Sequence, residues 1–294
     1  KIDVLVCLAG RFDNNRPLVC SYQPAPVQVS YHDGATSGLK EMDYWLTDEF
    51  LNPPDTKEMF TEELYRLPVF YQYPSIEEAP LVASLPAGKA GFITFGSFNN
   101  PTKVNDEVIR LWSKVLRSVP GSRLLLKYKN RYDQASLCNG VIERFASCGI
   151  RNDRVMFAGT LDTLKEHLAG YNEIDIALDP FPFNGTTTTF QALWMGVPVV
   201  SLAGKTFSSR TAGSILHHAN LGELVVDTEE AYVACARDLA RDLTRLGTLR
   251  FNLRERIATS ALCDAPAYTR SVETAYRDMW QKWCTRPKTP HDGN

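Results

Sequence analysis

No apolar run in the chain approaches the ~18 residues that a bilayer-spanning helix requires, so no membrane partner is expected. Pairs of the CxxC type are missing as well: seven cysteines, an odd number, stand scattered at positions 7, 20, 138, 148, 235, 263 and 284. That spacing argues against a zinc site and a disulfide framework, and a reducing cytoplasm is the expected compartment. Net charge is nearly absent, with 32 Lys and Arg against 34 Asp and Glu, formally −2. A broad electrostatic footprint for nucleic acid is thereby excluded. There is no internal repeat, and the only low-complexity stretch is the polar tail "TRPKTPHDGN", expected to be mobile. The basic, apolar, small-residue order of a secretory signal is missing too. The first residue is Lys1, and "KIDVLVCLAG" reads at once as a buried strand, so the chain is expected to begin inside a domain.

What is present is an ordinary globular composition, 44% hydrophobic and 22% charged over 294 residues, which gives an expectation of about two domains. Short apolar stretches at 2–8, 26–30, 43–46 and 65–71 are separated by the turn-forming clusters "GRFDNNRP", "HDGATSG" and "NPPDT". Residues 1–73 therefore read as the incomplete C-terminal part of a sheet lobe. The segment 74–90, "PSIEEAPLVASLPAGKA", lacks periodicity and reads as a linker.

From residue 91 onward strands and helices alternate. Strands are expected at 92–95, 123–128, 154–157, 174–178, 198–202 and 223–226. A helix opens near Asn105, whose side chain can cap free N–H groups, and Val108, Ile109, Leu111, Trp112, Val115, Leu116 and Val119 form its apolar face. Strand–helix alternation implies a parallel sheet covered on both faces, an α/β domain of Rossmann-like type spanning 91–265. A terminal helix over 266–284 and a tail over 285–294 complete the chain.

The segment "DIALDPFPFNGTTTTFQALWMGVPVVSL" sets a glycine and four threonines between two apolar strands. In a doubly wound sheet, ligands sit beyond the carboxyl ends of the strands. Gly185 would let backbone approach a ligand, and Thr186, Thr187, Thr188 and Thr189 begin a helix carrying Gln191. A helix start offers unpaired N–H groups and partial positive charge to a phosphate. Threonine is also a plain capping and strand-compatible residue, and these residues alone leave both readings open. The loop "FGSFNNPTKVN" brings Asn100 and Lys103 toward the same edge. Lys103 could face a leaving diphosphate, and Asn100 could donate a hydrogen bond. His167 is a lone helical histidine, and such residues more often serve structure than chemistry. His217 and His218 are helix neighbours whose side chains point apart, so a shared metal is not expected. No Asp-x-Asp pair precedes the threonines, and no metal is expected there.

The stretches "PAPVQV", "PPDTKEMFTEELYRLP", "GFITFGSFNNPTKVN", "FPFNGTTTTFQALWMGVPVVSLAG" and "ETAYRDMWQKWC" resemble the catalytic region of the SPINDLY and O-linked N-acetylglucosamine transferase family, in the same order and across positions 1–284. The resemblance implies an α/β fold of GT-B type, with a complete C-terminal nucleotide-sugar lobe and the tail of an N-terminal Rossmann-like lobe. It implies metal-independent, inverting transfer from UDP-GlcNAc or GDP-fucose to Ser or Thr hydroxyls of protein or peptide acceptors. It further implies tetratricopeptide repeats upstream, and no cofactor beyond the donor substrate. By position, Lys103 matches the lysine at the donor diphosphate, Asn100 a nearby polar residue, His167 a histidine beside the base, and Thr187 and Thr188 the phosphate-holding threonines.

Departures from the family pattern bear on the donor. Thr186 stands where the N-acetylglucosamine transferases have histidine, and Gln191 where they have the ribose-holding aspartate. Both features, and "KYKN" after the leucines, resemble the SPINDLY branch, whose plant members are similar to GDP-fucose-using enzymes. "SSRTAGSILHH" resembles bacterial members nearer the other branch, which leaves the donor open. "YHDGATSGL" replaces a Gly-Tyr-Pro-Gly-Thr-like turn, and Asp3 stands where the animal enzymes have histidine. Two rival readings follow: a GT-B epimerase or phosphorylase, and a non-catalytic nucleotide-sugar-binding homologue.

Overall fold

Two separate parallel sheets form in the computed structural model, which describes residues 2–8, 10, 15–32, 34–160 and 163–287. Lys1, Asp33 of the "YHDGATSGL" loop and the tail from 288 onward lie outside the described residues. The chain divides into two compact units, one of residues 1–72, 205–208 and 264–294, the other of 73–204 and 209–263.

The first unit holds β1 (Val4–Leu8), β2 (Val27–Tyr31), β3 (Tyr44–Asp48) and β4 (Glu63–Leu67), hydrogen-bonded in that order and all parallel. β2 and β3 are central and almost wholly buried, with Val29 and Leu46 excluded from solvent. Full burial of central parallel strands is why their sequences run apolar without alternation.

Residues 74–90, expected to link two lobes, instead group with the second unit and end in a single turn, α1 (Ala87–Ala90). Asp175 explains the anchoring. Its buried carboxylate accepts the amides of Ala87 at 2.9 Å and Thr94 at 2.8 Å, tying α1 and the first strand to the same group. A charged residue in an otherwise apolar strand approach is thus a bracket for buried backbone donors.

Beyond α1 the second unit alternates β5 (Thr94–Ser97), α2 (Asp106–Ser118), β6 (Arg123–Lys127), α3 (Ala135–Ser147), β7 (Val155–Ala158), α4 (Leu164–Ala169), β8 (Ile176–Leu178), α5 (Thr187–Trp194), β9 (Val199–Leu202), α6 (Thr211–His218) and β10 (Val225–Val226). It closes with α7 (Glu229–Arg241) and α8 (Leu243–Ala258). Asn105 caps α2 as its sequence implies, accepting from Val108 N at 2.9 Å, and the expected apolar face buries Trp112, Val115 and Leu116 completely. The final helix, α9 (Ala265–Thr285), clusters with the first unit, where Tyr65 donates to Asp278 at 2.7 Å and Lys282 pairs with Glu63 at 2.8 Å.

The strand order of the six-stranded sheet is β10-β9-β8-β5-β6-β7, with every pair parallel. The chain leaves β5 in one direction through β6 and β7, then returns to place β8 on β5's other side. β5 and β8 therefore flank the point where the winding reverses, the place where doubly wound sheets generally take ligands beyond the carboxyl ends of their strands. This reversal is what positions the site. Among the described residues no helix is long and apolar enough to cross a membrane, and all seven cysteines are free.

Candidate functional site

The loop after β5 carries Phe98 to Lys103, and the loop after β8 carries Asp179 to Thr186. Asn100 precedes a short helical turn, Pro101–Lys103, and its side-chain oxygen accepts the amide of Thr102 at 3.1 Å. Its oxygen is thus spent on its own loop, which leaves the amide N–H₂ as the donating end. The same turn directs Lys103 to the loop after β8. Its ammonium donates to the carbonyl of Asn184 at 2.7 Å and lies 4.0 Å from the centroid of the Phe183 ring. Burial pulls the Lys103 pKa below the usual lysine value, and the nearby Asp179 carboxylate opposes that pull.

Asp179 organises the other wall. It is 2% exposed, and its two oxygens accept Gly185 N at 2.7 Å and Ser201 Oγ at 2.8 Å. Burial pushes its carboxyl up to about 7, with these hydrogen bonds and Lys103 acting in the opposite sense. No role is expected for Asp179 from the sequence alone. The available signal was a carboxylate at the carboxyl end of a buried parallel strand, where ligand loops begin.

Gly185, expected to let backbone approach a ligand, also makes room for the protein's own groups. A Cβ there would meet Thr188 Oγ1 at 2.6 Å, Thr189 Oγ1 at 2.9 Å and Asp179 Oδ1 at 3.0 Å, so the missing side chain admits the protein's own hydroxyls. α5 begins at Thr187, with Thr186 at the cap position making no side-chain capping bond. The threonines are therefore not consumed as caps. Thr188 Oγ1 donates to Asn99 Oδ1 at 3.0 Å, joining the helix to the β5 loop, and Tyr171 donates to Thr188 O at 3.2 Å. Thr187 is exposed at the first helical position, where amides lack intrahelical acceptors.

His167 lies on α4, whose start is fixed by a capping box between Thr163 and Glu166. Its Nε2 is 3.0 Å from Gln191 Oε1, one turn along α5 from Thr187, and its Nδ1 is 2.7 Å from the Lys127 ammonium nitrogen. Burial and the positive charge of Lys127 hold its pKa below the ordinary histidine value. Lys127 ends β6 at 1% exposure; in the sequence it stands only as the first residue of "KYKN", with no role assigned to it. The structure thus brings Lys103, Gly185, Thr186, Thr187 and Thr188 to one turn, and His167 and Gln191 into contact on its far side. Asn100 stays in its own loop. Among the described residues no group of three or more His, Cys, Asp or Glu could hold a metal.

Residues 84–272 match the family described as Glycosyl transferase family 41. The chain is 41% identical over 290 residues to the probable UDP-N-acetylglucosamine–peptide N-acetylglucosaminyltransferase SPINDLY of Arabidopsis thaliana, covering 97% of this chain and 31% of that protein. Against the SEC protein of the same plant, bearing the same enzyme description, identity is 29% over 303 residues, 99% of this chain and 30% of that one. A solved structure of an O-GlcNAc transferase mutant from Thermobaculum terrenum superposes with a TM-score of 0.86 at 36% identity, over 96% of this chain and 54% of that chain. A sucrose-phosphate synthase from Thermosynechococcus elongatus shares the fold alone, with a TM-score of 0.51 at 17% identity over 82% of this chain and 59% of that one. The chain spans about a third of the length of the curated relatives it matches, 31% for SPINDLY. A family match across most of the second unit, and 41% identity across nearly the whole length, place this α/β chain of GT-B type in glycosyl transferase family 41.

Proposed function

We propose that this chain carries the donor site of a protein O-glycosyltransferase, moving a sugar from UDP-GlcNAc or GDP-fucose to Ser or Thr hydroxyls of protein acceptors. The observation that carries the reading is the 2.7 Å contact between the Lys103 ammonium and Asn184 O, at the turn that leads into α5. A diphosphate seated on the first amides of α5 would replace that carbonyl as the partner of Lys103. Thr186, Thr187 and Thr188 supply amide and hydroxyl donors to it. His167 and Gln191, one turn further on, hold the nucleoside.

As the bond from sugar C1 to the diphosphate oxygen breaks and the acceptor hydroxyl attacks from the opposite face, giving up its proton to solvent or to the departing diphosphate, negative charge grows on the diphosphate. Lys103 and the α5 amides are already in place to stabilise it. Transfer therefore inverts C1 and draws no metal or further cofactor into the step. Tetratricopeptide repeats upstream would present the acceptor, and the cytoplasm is the proposed setting.

The test is incubation with labelled UDP-GlcNAc and GDP-fucose and a peptide acceptor, followed by product analysis. Label on the peptide supports the reading, whereas epimerised sugar or sugar phosphate supports a different GT-B chemistry. Calorimetric titration with UDP and GDP identifies the donor class. A second reading rests on the exposed Asp3, where the animal enzymes have histidine. It is a homologue that binds nucleotide sugar without transfer, and saturable binding with no labelled product would support it.

A further inference from the structure

Lys127 is a buried cation that the proposed chemistry leaves without a task. Its side chain is 1% exposed, and among the described residues it forms no salt bridge. Its neighbours are the His167 ring, at 2.7 Å from the ammonium, and the Phe98 ring, whose centroid lies at 5.3 Å. A buried cation without a carboxylate is costly, and burial does pull the Lys127 pKa down.

The hydrogen-bond chemistry of this trio has one consistent direction. An ammonium has three donors and no acceptor. His167 Nδ1 must then accept, which leaves its single ring proton on Nε2. That Nε2–H, at 3.0 Å from Gln191, can be met only by the carboxamide oxygen. The amide N–H₂ of Gln191 is forced to the opposite side, away from His167. Ordinarily the rotation of a glutamine amide and the tautomer of a histidine are ambiguous. Here the lysine decides both.

We propose that Lys127 is a positioning residue that sets the direction of this chain, so that Gln191 presents N–H₂ to the ligand and reads an acceptor oxygen of the nucleoside. The inference rests on the donor-site reading above and deepens it. An aspartate at this position would accept from ribose hydroxyls, whereas the oriented glutamine donates. The oxygen read belongs to the base or to the ribose, and both offer the same acceptor chemistry.

The test pairs nitrogen NMR of histidine-labelled protein with calorimetry, on the unsubstituted protein, Lys127→Met and Gln191→Glu. In the unsubstituted protein His167 is expected as the Nε2–H tautomer near neutral pH. Lys127→Met should give a mixture of tautomers and weaken UDP or GDP binding about tenfold, the worth of one hydrogen bond. Its thermal stability should not fall, because an unpaired buried charge is removed. Gln191→Glu, which cannot donate when ionised, should weaken binding at least as much. If nucleotides lacking both the 2′ and 3′ hydroxyls show the same loss, the oxygen is on the base, and a smaller loss places it on a ribose hydroxyl. A proton found on Nδ1 in the unsubstituted protein, or a Lys127→Met variant with unchanged tautomer and affinity, would overturn the proposal. Absence of nucleotide binding by the unsubstituted protein, with the expected tautomer present, refutes the donor-site reading while supporting the direction of the chain.

Discussion

The ammonium of Lys103 lies 2.7 Å from the carbonyl oxygen of Asn184, and the next peptide N–H, that of Gly185, lies 2.7 Å from the Asp179 carboxylate. One cation and one anion thus hold consecutive backbone groups of the turn that leads into α5. Lys103 and Asp179 hold the turn from its two sides, and under the proposed function the donor diphosphate recruits Lys103.

Lys103→Ala is expected to lower sugar transfer by on the order of a hundredfold or more, the typical cost of removing one charge-stabilising donor. Folding should be little affected, because Asn184 O loses only one half-buried partner. Labelled-sugar transfer and a thermal melt on the same preparation check the two parts. Near-normal turnover would remove Lys103 from the chemistry.

Asp179 makes stability depend on pH in the direction opposite to a salt-bridged carboxylate. Its folded-state pKa of about 7 lies above the ordinary 3.8. Between those values the folded protein holds a proton that the unfolded chain releases. The site's contribution is therefore complete below about pH 4, shrinks as pH rises toward 7, and is constant above that. The full span amounts to at most about 4 kcal/mol, at about 1.4 kcal/mol per pKa unit. Asp179→Asn mimics the protonated form and should abolish this slope. Urea unfolding of both proteins at pH 5 and pH 8 is the measurement: the variant should gain on the parent at the higher pH, and a difference independent of pH would count against it.

Gly185→Ala tests the reading of the glycine as a place for the protein's own side chains. The added methyl would meet Thr188 Oγ1 at 2.6 Å and the Asp179 carboxylate at 3.0 Å. Overpacking of this kind typically costs about 1–3 kcal/mol. Denaturant unfolding should show that loss even without nucleotide, and calorimetry should show weaker diphosphate binding as Thr188 is displaced. A variant as stable as the parent would mean that the turn relaxes freely.

Arg250 is 2% exposed and donates to the carbonyls of Ala83 and Ile174, each at 2.8 Å. It holds the 74–90 segment against the approach to β8. Arg250→Met should destabilise the protein by roughly 2–5 kcal/mol, since buried carbonyls lose their donors. Limited proteolysis should then cut within 74–90 before it cuts elsewhere. An uncut segment would show that Asp175, Asn172 and Arg254 anchor it without Arg250.

Much of this was legible in the residues. Trp112, Val115 and Leu116 at helical spacing, Asn105 before them, and the short apolar runs at strand spacing each report burial that is decided locally. The Gly-Thr run after an apolar strand also marked the start of a helix, α5, at the carboxyl end of a buried strand. Two details lay outside that reading: Gly185 packs against the protein's own hydroxyls, and the Asn100 oxygen accepts inside its own loop. Both depend on which neighbours arrive, and a local pattern does not carry that.

By itself, then, the sequence determined the elements, their α/β alternation and the chemical character of the turn before α5. Tertiary structure alone decided that β8 lies against β5, which brings Lys103 to Asn184 across 81 positions and Lys127 to His167 across 40. The physical reason is that periodicity records whether a residue is buried, while strand order is a contest among non-local pairings of similar apolar strands. Only the winning order says which buried charge meets which loop.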